Sequence, residues 1–187
     1  TLTMNPPKTF SGHLIDFYVS QFIEQSGLSL SPLKSWSKRG LIKATSADIN
    51  MGQELLAEIG LDNTKKLVVI QPGGGSKHKC WHLDNFLAIA KKLTTNDIDV
   101  IFLLGPAELE RFSDGTIKEI NKVAKCLTNL PLNRVVGILS CADGFIGNDS
   151  GITHLAAGLG VRTLAVFGPS NPIVYRPIGP SVTVFID

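Results

Sequence analysis

Leu67-Val68-Val69-Ile70-Gln71-Pro72-Gly73-Gly74-Gly75-Ser76-Lys77-His78-Lys79 is the stretch whose reading decides the fold. Its first five residues form a short β-branched run with lysines before it and Pro-Gly after it, the pattern of a strand buried on both faces of a parallel sheet. Beyond the glycines, Leu83, Phe86, Leu87, Ala90 and Leu93 recur at helical spacing. A second apolar run, Asp99–Leu104, closes on Gly105-Pro106. The alternation then continues to the last residues. Residues 107–123 read as helix with Leu109, Phe112, Ile117 and Ile120 inward, 124–127 as a weak third strand, and 132–141 as helix. Residues 144–147 read as strand, 152–159 as a helix rich in small residues, 163–167 as strand, and Val182–Ile186 as the last strand. Parallel neighbours need crossover connections, so six strands separated by helices predict an α/β fold with a doubly wound parallel sheet.

Residues 1–64 lack a strand pattern. Residues 13–25 read as an amphipathic helix burying Leu14, Phe17, Tyr18, Phe22 and Ile23, and 46–59 read as helix. The expected division is a preceding domain's tail and linker helices over 1–64, and a Rossmann-like domain over 65–187. Thr1-Leu2-Thr3-Met4 does not read as a natural initiation, so a longer parent chain is expected.

The 187 residues are 43% hydrophobic and 18% charged, an ordinary globular composition, and a net charge of +2 is too small to point to nucleic acid. Basic residues are scattered apart from Lys77 with Lys79 and Lys34 with Lys38 and Arg39. No apolar run is long enough to span a bilayer. Cys80, Cys126 and Cys141 show no paired spacing and are expected to be reduced thiols, which suits a cytoplasmic protein. Trp36 and Trp81 read as packing residues.

In an open parallel sheet, ligands bind beyond the carboxyl ends of strands where the strand order reverses. With the order 3-2-1-4-5-6, the loop after the first strand, Pro72–Lys79, and the loop after the fourth, Asn148-Asp149-Ser150-Gly151, face one crevice. Three consecutive glycines let backbone approach an oxyanion closely. Ser150, Gly151, Ile152 and Thr153 open a helix whose free N–H groups and dipole favour phosphate. The expected ligand is a diphosphate, with an N-cap at Asp149 or Ser150 as the plainer alternative.

Other phosphate and nucleophile motifs fail. His78 takes the third glycine position of a dinucleotide fingerprint, and Ser76-Lys77-His78 breaks the Gly-Lys-Ser/Thr order of a P-loop. Gly147-Asn148-Asp149-Ser150-Gly151 has the spacing of a nucleophile elbow with Asp149 at its centre. An α/β hydrolase built on it has His154 as its only later base, held in the same helix. His154 reads either as a packed or capping residue or as a donor facing the crevice. Glu108, after the second strand, reads either as a ribose acceptor or as a first-turn acid favoured by the helix dipole. No cluster recommends a metal site.

Val69-Ile70-Gln71-Pro72-Gly73 with Lys79-Cys80-Trp81-His82-Leu83-Asp84-Asn85-Phe86 resembles a sequence block of the heptosyltransferases, glycosyltransferase family 9. Gly147–Ala157, Gly158-Leu159-Gly160-Val161 and Phe167-Gly168-Pro169-Ser170-Asn171-Pro172 resemble a second, more specific block. The resemblance covers about Leu67 to Pro180. It implies the donor-binding, C-terminal half of a GT-B fold. The implied activity is inverting transfer of a heptose-type sugar from a nucleotide-diphosphate donor such as ADP-heptose. The implied acceptor is a lipopolysaccharide core, with no metal or other cofactor, in the cytoplasm at the inner membrane face. It implies Lys79, Asp149, Ser150, Gly151 and His154 as phosphate and sugar contacts, backbone N–H groups at Gly74 and Gly75, and Glu108 at the nucleoside. Gly74 and Gly75 stand where the family often has hydroxyl residues, His82 replaces the usual proline, and Arg162 stands where proline commonly precedes Thr163. The family's general base would lie in an amino-terminal domain outside this sequence, so the chain alone is expected to bind donor without transferring sugar. A non-catalytic nucleotide-binding module remains the alternative.

Overall fold

The computed structural model describes residues 6–7, 9–27, 40–61 and 64–187. Trp36 and the cluster of Lys34, Lys38 and Arg39 lie outside the described residues.

Two helices precede the sheet: α1 (Leu14–Ser26) and α2 (Ser46–Glu58). Then β1 (Leu67–Gln71), α3 (Leu83–Thr94), β2 (Asp99–Leu104), α4 (Pro106–Arg111), α5 (Asp114–Val123), β3 (Lys125–Thr128) and α6 (Leu132–Ser140) follow. The chain continues through β4 (Gly144–Asn148), α7 (Gly151–Gly158), β5 (Arg162–Phe167), α8 (Pro172–Tyr175) and β6 (Val182–Ile186). The sheet order is β3-β2-β1-β4-β5-β6 with every pairing parallel, as the alternation predicts.

One predicted helix is two. Residues 107–123 break at Phe112, whose backbone is extended, because the Ser113 side chain accepts the Thr116 N–H and starts α5 afresh. The amphipathic reading of α1 is also only partly met. Phe17 is buried, but Tyr18 and Phe22 are exposed.

Each strand sends alternate residues to opposite faces. On one face Leu67, Val69, Ile101, Leu103 and Phe145 pack with Leu55 and Leu56 of α2 and Ile138 and Leu139 of α6. On the other, Ile70, Val100, Phe102 and Leu104 pack with Phe86 and Ala90 of α3 and Ile120 of α5. Phe86, Phe102 and Phe145 are fully or almost fully buried, each worth roughly 1.5–3 kcal/mol over exposure.

Helix α2 reaches its layer through backbone contact. A Cβ built on Gly52 would lie 2.2 Å from the Gly137 carbonyl oxygen, and one on Gly137 would lie 2.5 Å from that of Asp48. Only glycine on both helices lets α2 and α6 approach so closely. Its start is secured by Thr45 and Asp48, each side chain accepting the other's backbone N–H.

At the opposite edge from the loops of interest, Asp143 pins β1 to β4. Its carboxylate accepts from the Leu67 N–H (3.0 Å) and from Lys66 Nζ (2.8 Å). Its own N–H donates to the Leu67 carbonyl at 2.9 Å. The Lys66 hydrogen bond, then that of Leu67, hold this carboxyl below the usual aspartate value. A group with a lowered folded pKa stabilises above its unfolded value and loses that contribution as pH falls toward the folded one. Asp143→Asn should therefore lower the melting temperature by a margin that is full at neutral pH and shrinks below about pH 4. Gly52→Ala should cost about 2 kcal/mol or more in denaturant titration by forcing α2 off α6. A neutral result would show the two helices free to part.

Candidate functional site

The β1–β4 register pairs Gln71 with Gly147, so the chains leaving these strands start side by side at the reversal of strand order. Asn148, the last residue of β4, is fully buried and joins them. Its Nδ2 donates to the carbonyls of Pro72 (2.7 Å) and Gly73 (3.2 Å), while Oδ1 accepts the Trp81 N–H at 2.8 Å. Both ends of the glycine loop are therefore held by one amide. Arg111, in the last turn of α4, holds its middle, donating to the Gly74 carbonyl (2.6 Å) and to Cys80 Sγ (3.3 Å). Cys80 in turn donates to the Ser76 carbonyl. Trp81 packs edge-on against Phe86 with ring centroids 5.3 Å apart, and its indole N–H donates to Asp187, as its reading as a packing residue expects.

Ser150 caps α7, its Oγ accepting the Thr153 N–H, while the Thr153 hydroxyl donates to the Asn148 carbonyl. The Ser150 hydroxyl also donates to Gln71 Oε1 at 2.8 Å. Gln71 Nε2 donates to Glu108 Oε1 at 3.0 Å, and Glu108 Oε2 accepts the Gly105 N–H at 2.6 Å. Gln71 and Glu108 are 6% and 3% exposed, so this chain runs through the interior rather than across the surface. Gly73 makes room for it: a Cβ there would overlap Glu108 Oε1 at 1.3 Å.

A cavity of about 350 Å³ opens over these loops. Gly74, Gly75, Glu108, Ser150 and Gly151 all line it, with Leu103, Leu104, Leu127, Leu130 and Ile152 supplying apolar wall. Five residues singled out in the sequence thus meet in one place. The others lie apart or to the side. His154 lines a separate apolar hollow of about 330 Å³ facing α1, with its ring nitrogen 3.9 Å from Asp149 Oδ1, an ion-pair rather than hydrogen-bond distance. Lys79 ends a 3-10 turn, Lys77–Lys79, in the loop, and its side chain is outside the described residues. A larger hollow, about 750 Å³, runs along the β6 edge beside α1 and α8 and holds none of the predicted residues.

Asn148, Gln71 and Arg111 were not legible as site residues. Gln71 reads as a strand end and Asn148 as the first residue of the loop after the fourth strand, and nothing in the spacing of Arg111 ties it to a loop 37 residues earlier. Among the described residues no three His, Cys, Asp or Glu side chains group as a metal site. The three cysteines are free thiols. Burial pushes Cys126 up to about 11 and raises Cys141, which keeps both from forming a nucleophilic thiolate near neutrality.

A doubly wound parallel sheet with a glycine loop and a helix start converging at its switch point defines a Rossmann-like α/β protein. Residues 33–187 match the glycosyltransferase family 9 (heptosyltransferase) profile, and the chain belongs to that family. It is 32% identical over 136 residues to lipooligosaccharide heptosyltransferase 2 of Campylobacter jejuni, covering 70% of this chain and 43% of that protein. Against lipopolysaccharide heptosyltransferase 3 of Escherichia coli the identity is 25% over 182 residues, 91% of this chain and 51% of the relative. The chain thus spans about half the length of these relatives. In fold it is similar to a family 9 glycosyltransferase from Veillonella parvula, with a TM-score of 0.77 and 23% identity over 95% of this chain and 50% of that one. The E. coli heptosyltransferase WaaC with ADP gives a TM-score of 0.67 at 20% identity, over 95% and 51% of the two chains.

Gly73→Ala should displace the Glu108 carboxylate and leave Gln71 and the Gly105 N–H without their acceptor. The expected loss is roughly 2–3 kcal/mol in chemical denaturation. Combined with Glu108→Ala the two losses should sum to clearly less than their separate values, and strict additivity would refute the contact.

Proposed function

We propose that this chain is the donor-binding part of an inverting glycosyltransferase. In this reading it takes a nucleoside diphosphate sugar, ADP-heptose in the first instance, for transfer to a lipopolysaccharide core. The observation that carries the reading is the convergence of the glycine loop, the α7 start and Glu108 on one cavity. Apolar walls from Leu103, Leu104, Leu127 and Leu130 suit the flat face of a base, and Glu108 lines the same cavity, each carboxylate oxygen keeping a second lone pair for a nucleoside hydroxyl. The relatives named for heptosyl transfer, and the WaaC structure holding ADP, support this choice of donor.

The diphosphate lies between the loop and α7. Backbone N–H groups at Gly74, Gly75 and Gly151 face it, and the α7 dipole adds positive potential at the helix start. Lys79 supplies a full positive charge from the loop. Asp149, next to the cap of α7, and His154, 3.9 Å from it but lining the neighbouring hollow, are proposed to serve the sugar end. As the glycosidic C–O bond breaks, negative charge grows on the departing diphosphate, and these fixed donors stabilise it without reorganising. The acceptor site and the general base belong to the portion of the relatives that this chain does not span. No described helix is long and apolar enough to cross a membrane. The proposed location is the cytoplasm, at the inner membrane face where a lipid-linked core would be met. Family membership favours this over hydrolysis by Asp149.

Lys79→Ala should weaken ADP binding about tenfold, the worth of one charge-assisted hydrogen bond. Calorimetry on the 187-residue chain reads this directly, and an unaltered dissociation constant would remove Lys79 from the site.

A further inference from the structure

Each hydroxyl has one proton to give, and that count constrains the crevice more than its shape does. Both Glu108 oxygens accept, from Gln71 Nε2 and from the Gly105 N–H. The Gln71 amide must therefore turn its nitrogen toward Glu108 and its carbonyl toward Ser150. That carbonyl is buried, and the partner it has is the Ser150 hydroxyl at 2.8 Å. Thr153 stands 3.0 Å from Ser150 Oγ but directs its own proton to the Asn148 carbonyl. Ser150 Oγ meanwhile accepts the Thr153 N–H as the cap of α7. The one proton of Ser150 and one of its two lone pairs are thus in use inside the protein.

We propose that Gln71 is a positioning residue for the diphosphate, and that Ser150 gives its proton to Gln71 rather than to the ligand. The relay Ser150–Gln71–Glu108–Gly105 fixes the start of α7 against the start of α4, spanning β4, β1 and β2. What the ligand meets at α7 is then backbone N–H, beginning at Gly151, oriented by a cap that cannot turn away. A free serine rotor would satisfy Gln71 only part of the time and would leave a buried amide carbonyl unpaired otherwise, which is unfavourable. The inference rests on the nucleotide reading for its ligand but not for the relay itself.

The experiment has two arms on the 187-residue chain. In the first, ADP and AMP are titrated calorimetrically into wild type and Gln71→Met, well below the melting temperature. Gln71→Met should weaken ADP about tenfold while AMP changes little, so the ratio of the two dissociation constants narrows. A purely structural role would leave that ratio where it was, and an unchanged ratio overturns the positioning claim. In the second arm, melting temperatures are compared for Gln71→Glu, Glu108→Gln and the exchanged pair carrying both. Either single change sets like groups against each other. The pair restores every donor to an acceptor: the amide moved to position 108 donates to the carboxylate moved to position 71, which also accepts from Ser150. Recovery in the pair supports the relay, and additive losses overturn it. If wild type binds neither nucleotide, the proposed function fails on the first arm while the second still decides the relay.

Discussion

One buried amide holds the crevice together. Asn148 ends the fourth strand one residue past the last β1–β4 pair, Gln71 with Gly147. Its side chain takes over, giving two N–H groups to Pro72 and Gly73 and receiving one from Trp81. The three contacts lie on both sides of the glycines, so the loop is closed at its base whatever its tip does. Carbonyls cannot donate and an N–H cannot accept, so an aspartate of the same shape would face two carbonyls with nothing to offer them. Arg111 works on the same loop from the α4 side. The glycine run is therefore less free than its composition implies, and its N–H groups keep a defined direction.

From this constraint the rest follows in order. The parallel register sets Gln71 beside Gly147, the amide of Asn148 fixes where the loop goes, and α7 starts within reach of Gln71. The same geometry leaves a cavity whose floor is polar and whose walls are leucine. An anion held at such a helix start meets oriented dipoles in surroundings partly closed to water, where electrostatic stabilisation is strongest.

Much of this was legible in the chain. The β-branched run Leu67–Gln71, the run Asp99–Leu104 and the helical spacing after the glycines are legible as parallel strands and helices, because buried parallel strands write their signal locally, while the strand order follows from the usual arrangement of doubly wound sheets. Gly74, Gly75, Ser150 and Gly151 were readable because loop and helix-start chemistry are local too. What escaped was one local cap and several non-local contacts. The split of residues 107–123 turns on a single capping serine inside a polar stretch that fits helix throughout. Gln71 looks like a strand residue and Asn148 like the start of a loop, and only the fold brings their amides to partners 37 to 79 positions away. Glu108 is legible as a residue of the crevice, but its internal partners Gln71 and Gly105 are not. Its burial against Gly73 depends on a glycine 35 positions earlier, and no spacing rule announces such a pair.

The space beside Gly73 is filled by the Glu108 carboxylate, which leaves no room for a side chain there. A hydrogen atom there is what admits a carboxylate to the interior, and the carboxylate is what orders the amide below it. Neither position can drift by itself: a methyl at one evicts the other, and a shorter side chain at the other leaves a hole beside the first. What position 108 can carry is thus set by what stands at position 73, and the reverse.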